Sequence, residues 1–454
     1  MKRKSLIIVT LLLCLSMLFG LAGCAETPAE SQEPTPTGDA PAPDPTPEPA
    51  PDPTPAPPAE PISLTFWHIW GGGDANEAAV TKVIDDWNNA NPNIQIVAET
   101  YENEAYKTLI KTSVAGDSAA DIFSTWGAGF SADFVSAGKV VQLDSYLNDG
   151  TKDRIAGGAL DYFTYDGGVY GLTFGKSVSG FFVNGKAFSD NNIALPATYE
   201  DLLAACESLK NAGITPIITS SKERWVLGML FEGICTKAVG ADKVNLTIGK
   251  SAGGSYSDPN FVLALNSLAE LKNKGYINSD ASAITRDEAL AAFKEGKAGL
   301  YYMGAWECGS LEDADSAIKD DVDWIPFPAI AAGAGKATDF NGGSIDGLMI
   351  SKNTAYPDEA AAFVKYFCEN LAREGYQNGN YFPMWNSASV DESLLSPLFV
   401  KIGKATASST GFVIWWDTFL SGDDVTIYQD ALENFFNGVI TAEAAQAEFQ
   451  RITP

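Results

Sequence analysis

Two tryptophans in this sequence stand where a strand runs out among glycines. Trp306 follows Leu300–Gly304 in the run LYYMGAWECG, and Trp126 follows Asp121-Ile-Phe-Ser and precedes Gly127-Ala-Gly129. The space just past the carboxyl end of a strand is where α/β folds receive ligands. A flat indole in that place can act as a platform for a ring with apolar C–H faces, such as a pyranose. The hydroxyl rim of such a ring is then met by acids, amides and charged groups. The alternative for each indole is a core role, plugging the end of a sheet. A third break comes after Ile62–Trp67, where Trp67, His68 and Trp70 precede Gly71-Gly72-Gly73. One of these three is expected to reach a ligand. Trp225 opens a helix behind Arg224, and Glu307, Ser344 and Asp346 stand beside strands that would border a cleft. Residues in such positions are as often a supporting layer as direct contacts.

The elements that must position these side chains follow the same pattern along the chain. Ile62–Trp67 alternates as a strand. The next segment carries Val80, Val83, Ile84 and Trp87 on one helical face and stops at Asn91-Pro92. Ile94-Gln-Ile-Val reads as a strand, Tyr106–Val114 as a helix, and Asp121-Ile-Phe-Ser as a third strand. Strand, helix, strand, helix, strand implies a parallel sheet with right-handed crossovers. The helix before Trp306 opens with Thr285-Arg-Asp-Glu288, a capping box. Thr198 caps a helix with Leu202, Cys206 and Leu209 inward, and Pro357 starts one at its first turn.

A chain of 454 residues is too long for one core and suggests two lobes. Its net charge of −28 argues against nucleic acid or anionic membrane surfaces as partners. With His68 as the single histidine, a Ser-His-Asp triad or a multi-histidine metal site has little support, and no metal or cofactor is expected. Carboxylate chemistry stays possible. The N-terminus reads as an export signal, residues 1–23: Lys2, Arg3 and Lys4, then an apolar run from Leu6 to Leu21, too short for a comfortable membrane span. It ends Leu21-Ala22-Gly23-Cys24, a lipobox-like junction that makes Cys24 the candidate lipidated residue. From there to residue 61 the chain is a Pro-rich linker, suited to an extended spacer between anchor and folded part.

The ordered set FWHIWGG, NPNIQIVAE, ADIFSTW with SAGKVVQLD, FKEGKAGLYYMGAW and DGLMISKNTAYPDEAAAF resembles the extracellular solute-binding proteins of bacterial carbohydrate ABC importers, on the oligosaccharide-binding branch. The resemblance runs from Ile62 to the C-terminus. It implies an α/β, two-lobed fold of the type II periplasmic-binding-protein kind, with hinge crossovers and a ligand cleft between lobes. The first lobe would take about 62–174 and 338–380, the second about 175–337 and 381–454. Val169–Gly175 and Phe340–Gly343 are glycine-punctuated runs apt for the hinges. The resemblance also adds Trp385, in the cleft-lining run Tyr381–Trp385, and Trp416 with Asp417, on a late segment that often supplies an aromatic and an acid. Its implied partners are an oligosaccharide and the permease subunits, with a monomeric, lipid-anchored protein on the outer face of the cell membrane. No catalytic residue is implied.

Two other classes fit the same residue types. Acids in an aromatic-lined cleft are also what a glycan-active hydrolase uses, and a surface glycan adhesin would bind without closing. Cys206, Cys235, Cys308 and Cys368 form no CxxC and no zinc spacing. Cys206 and Cys368 lie on apolar helix faces, which favours buried free thiols over disulfides.

Overall fold

The computed structural model of the chain describes residues 61–452, Ile345 and Ser389 excepted. The export signal, Cys24 and nearly all of the Pro-rich linker lie outside the described residues.

The first sheet runs in the order Ile94–Thr100, Ile62–His68, Ile122–Trp126, Asp346–Ile350, Gly171–Thr173. The first three strands are parallel, as the strand–helix alternation predicts, and Asp346–Ile350 joins antiparallel to its neighbours on both sides. Helix Glu77–Ala90 buries Val80, Val83, Ile84 and Trp87 on one face. Together with Phe363 and Phe367 of helix Pro357–Gln377 they enclose Leu64 and Phe66 of the first strand in one apolar cluster. The second sheet runs Gly411–Val413, Asp339–Gly343, Gly175–Asn184, Ala298–Gly304, Thr215–Ile218, with Val322–Ile325 and Phe382–Pro383 also paired to the long strand Gly175–Asn184. Ala298–Gly304 is buried along its whole length. The apolar helix Arg224–Ala238 packs against the same core.

The capping box expected at Thr285 forms, and the Thr198 cap proves to be one too. The Thr285 hydroxyl accepts the Glu288 N–H while the Glu288 carboxylate accepts the Thr285 N–H, and Thr198 with Asp201 does the same. Pro357 occupies the first turn of its helix and Thr441 caps the last one. Cys206, Cys235, Cys308 and Cys368 are buried free thiols.

The chain passes between the sheets at three points that touch one another. A single residue, Phe174, separates Gly171–Thr173 of the first sheet from Gly175–Asn184 of the second. The return falls after Gly343. Asp339–Gly343 still pairs in the second sheet, with Ser177 and Val178 on one side and Gly411–Val413 on the other, so the boundary expected at about 338 lies several residues too early. The third passage is Tyr381, leading into Phe382 and Pro383 opposite Lys176 and Gly175. Gly175 is required there, because a Cβ on it would stand 2.7 Å from the Tyr381 Cβ.

Candidate ligand-binding cleft

A cavity of about 540 Å³ opens beyond the carboxyl ends of the parallel strands. The loop after Ile62–His68 brings Trp70 and Asn76 to it. The turn after Ile94–Thr100 brings Tyr101, and the end of Ile122–Trp126 brings Trp126. From the second lobe come the heads of two helices, with Trp225 and with Arg286 and Asp287, and the strand-end turn with Trp306 and Glu307. The passages between the sheets add Asp346 and Tyr381, and a late segment adds Trp415 and Asp417.

The second-lobe wall is a chain of indoles. Trp306 packs edge-on against Trp415 at 5.4 Å between centroids and tilts against Trp225 at 6.5 Å. Trp225 and Trp306 are half-buried, so part of each ring faces the cavity. Trp306 sits on the turn Ala305–Glu307 and folds back over the last residue of its strand. A Cβ on Gly304 would come within 2.2 Å of the indole. Glu223 ties the wall to the helix heads: one carboxylate oxygen accepts the Trp225 Nε1–H at 3.2 Å and the other the Arg286 backbone N–H at 2.7 Å.

Lys107 spans the cleft. It lies on the second turn of helix Asn103–Ala115, whose first N–H groups donate to the Glu102 carboxylate. Its Nζ is 5.5 Å from the Trp126 ring of its own lobe and 5.7 Å from the Trp225 ring opposite. It pairs with Glu104 at 3.1 Å and across the cleft with Asp417 at 3.3 Å. Burial disfavours its charge, but Asp417 and Glu104 more than offset that and hold it above the ordinary lysine range. Arg286 is likewise paired, with Glu307 and Asp287. Burial works against it too, and Glu307 together with Tyr301, Asp287 and Asp74 outweighs the loss. Burial, reinforced by the Asp417 charge, pushes Asp346 up to about 7. Burial raises Asp74 as well.

Of the twelve residues singled out in the sequence, the structure brings Trp306, Trp126, Trp225, Trp70, Asp417, Glu307 and Asp346 to this cavity. The other five lie elsewhere. Trp416 is fully buried behind the wall, among Phe231, Tyr256, Phe261 and Tyr428. Its chain neighbour Trp415 takes the cavity position instead. Trp385 is 2% exposed and donates its Nε1–H to the Thr173 carbonyl at 2.8 Å. The Ser344 hydroxyl is 3.0 Å from that of Thr173 and donates to the Gly175 carbonyl at 3.1 Å. Both residues therefore bind the passages between the lobes together. His68 is buried, which lowers its pKa to about 4, and its Nδ1 accepts the Trp70 N–H. Trp67 packs on Tyr101, one layer back from the cavity. Sequence reasoning missed Lys107, Tyr101, Arg286, Asn76 and Trp415, and it put Tyr381 in the cleft-lining run without singling it out. Of these, Tyr101 and Arg286 carried a signal, standing directly after a strand and at the head of a capped helix.

The family model for bacterial extracellular solute-binding proteins matches residues 72–370. The chain belongs to this family. A solved structure from work on xylan utilization by the thermophilic bacterium Caldanaerobius polysaccharolyticus superposes with a TM-score of 0.83 at 36% identity, covering 86% of this chain and 99% of its own. A chitin oligosaccharide binding protein superposes at 0.78 with 25% identity, covering 87% and 98%. The multiple sugar-binding protein of Streptococcus mutans is 22% identical over 379 residues, 80% of this chain and 87% of its own. This solute-binding protein therefore has the two-lobed periplasmic-binding-protein fold that its sequence implies, and its family is extracytoplasmic.

Proposed function

We propose that this protein captures an oligosaccharide in the cleft between its lobes and delivers it to the permease of an ABC transporter. The observation that carries the reading is the wall Trp225–Trp306–Trp415 in a cavity that also holds Trp126 and a set of hydrogen-bonding side chains, among them Asn76, Asp346 and Asp417. Each pyranose laid on an indole removes roughly 100 Å² of apolar surface from water, about 2–3 kcal/mol. Each hydroxyl bond nets about 1 kcal/mol, more where the partner is charged. Two or three platforms with several such bonds, less the cost of association, reach micromolar affinity, about −8 kcal/mol. The relatives support the reading, since those with named ligands bind sugars or oligosaccharides. They are binding proteins, which favours capture over hydrolysis.

In this reading Trp306, Trp225, Trp415 and Trp126 are platforms, while Asp346, Asp417, Glu307 and Asn76 meet the hydroxyl rim. Lys107 and Asp417 join the lobes in the closed state, and the passages knotted by Ser344 and Trp385 bend when they part. Cys24, lipidated, would hold the folded part at the membrane through the Pro-rich linker, beside the permease.

A thermal-shift screen of the full chain over di- and oligosaccharides tests this. A saccharide at a hundred times its Kd stabilises by about 2.7 kcal/mol. No shift with any saccharide overturns the proposal. Labelling with palmitate, abolished in Cys24→Ser, tests the anchor.

A further inference from the structure

The charge around the cavity is lopsided. Among the described residues it is lined by seven carboxylates and two side-chain cations, Lys107 and Arg286. Neither cation is available to a ligand without breaking an existing pair. Lys107 holds Asp417 and Glu104, and Arg286 holds Glu307 and Asp287. Four of the seven, Asp74, Glu102, Glu223 and Asp346, are left without a cationic partner in contact. Glu102 and Glu223 are engaged by backbone and indole N–H groups, which leaves Asp74 and Asp346 as the carboxylates a further negative charge would meet in a partly enclosed site. Burial pushes both carboxyls above the ordinary range, Asp346 up to about 7, so the negative charge that would repel an anion is present in full only above that pH.

A second observation points to what the cavity accepts. Asn76 is 2% exposed, lines the cavity, and its Oδ1 has no hydrogen-bond partner. Its Nδ2 and its backbone N–H both donate to Asp74 Oδ1, which fixes the amide in place. An unpaired buried acceptor beside carboxylates calls for hydroxyl or amide donors from the ligand.

We infer that the cleft selects oligosaccharides that carry no anionic group and rejects those bearing a uronic acid, sulfate or phosphate, through the unpaired carboxylates Asp74 and Asp346. This rests on the saccharide reading given above and adds the charge class of the ligand. A neutral sugar presents hydroxyl donors to Asn76, Asp74 and Asp346. An acidic sugar at the same place presents a further negative charge with no free cation to receive it.

Calorimetric titration of the full chain separates the two claims. Xylotriose, cellotriose, maltotriose and triacetylchitotriose are tested first. The tightest binder is then compared with the same trisaccharide carrying one uronic acid, as an oxidised ring or, for xylotriose, a glucuronic acid branch. The expected result, at a pH more than about a unit above the value near 7 to which Asp346 is raised, is at least about tenfold weaker binding of the acidic form at about 20 mM salt, with the gap narrowing at about 500 mM, where charges more than ~5 Å apart are screened. The gap also narrows in Asp346→Asn. Equal or tighter binding of the acidic form overturns the inference and leaves the saccharide reading standing. So does a gap that neither salt nor Asp346→Asn changes, since that is exclusion by shape. No binding of any trisaccharide overturns both.

Discussion

The indole wall of the cleft and the layer directly behind it use the same residue types to opposite ends. In the wall, Trp306 packs edge-on against Trp415, tilts against Trp225 and stays only half-buried. Behind it, Trp416 is enclosed on every side by Phe231, Tyr256, Phe261 and Tyr428, and Glu232 closes the group by accepting the Tyr428 hydroxyl at 2.9 Å and the Trp416 N–H of the backbone at 3.2 Å. The difference lies in what the rings leave uncovered. A ring packed all round has contributed its full area to folding and has none left to offer a ligand. The rear layer should therefore govern stability and the wall affinity.

Four changes break or sharpen that division. Trp416→Ala removes the most packing and should cost about 3–5 kcal/mol of stability in urea unfolding. If it left stability untouched and abolished sugar binding, the division would be wrong. Glu232→Gln probes the same layer by pH. Burial, with the Asp417 charge, pushes Glu232 up to about 8 from its ordinary 4.5. Between those values the folded chain holds a proton that the unfolded chain has released, so stability falls as pH rises from about 4.5 to about 8. The glutamine variant lacks that loss. Its advantage over the parent should grow across the window by roughly 2–4 kcal/mol. Parallel pH profiles would mean that the buried group stays ionised. In the wall, Trp306→Ala should weaken saccharide binding at least about tenfold, or ~1.4 kcal/mol, with the melting temperature of the free protein little changed. A variant that fails to fold would assign Trp306 to the core. Smallest is Ser344→Ala, which loses its bonds to Thr173 and Gly175 at the passages between lobes. It should cost about 1 kcal/mol of stability and leave the affinity of the closed site nearly as it was.

Much of this was legible in the sequence where a local rule suffices. The capping box at Thr285 and the cap at Thr198 depend only on residues three apart, and both form as read, with Asp201 completing a box at Thr198 as well. Trp306 and Trp126 could be found because strand ends are visible and strand ends face the cavity. Trp415 and Trp416 could not be told apart. They are adjacent on a turn entering the short helix Trp416–Phe419, and which indole turns outward is set by that turn's backbone and by the aromatic pocket waiting for Trp416. Lys107 and Asp417 are separated by 310 positions and meet only once both lobes are built. Trp385 and Ser344 lie near the cleft in sequence order, but their partners are backbone and hydroxyl groups of Thr173 and Gly175, which no spacing rule reveals. The strand Asp339–Gly343 was misassigned because its glycines read as a hinge, while its pairing comes from Ser177, Val178 and Gly411–Val413.

Gly304 gives the binding surface an adjustable floor. The Trp306 ring rests where a side chain on residue 304 would be, 2.2 Å from the position of its Cβ. The position of the indole thus depends on an atom that is absent from a residue outside the cavity lining. A methyl group placed there would lift or turn the ring while every cavity-lining residue kept its identity. Relatives with the same lining could in this way prefer differently shaped sugars, and a designer wishing to retune recognition would begin beneath the indole.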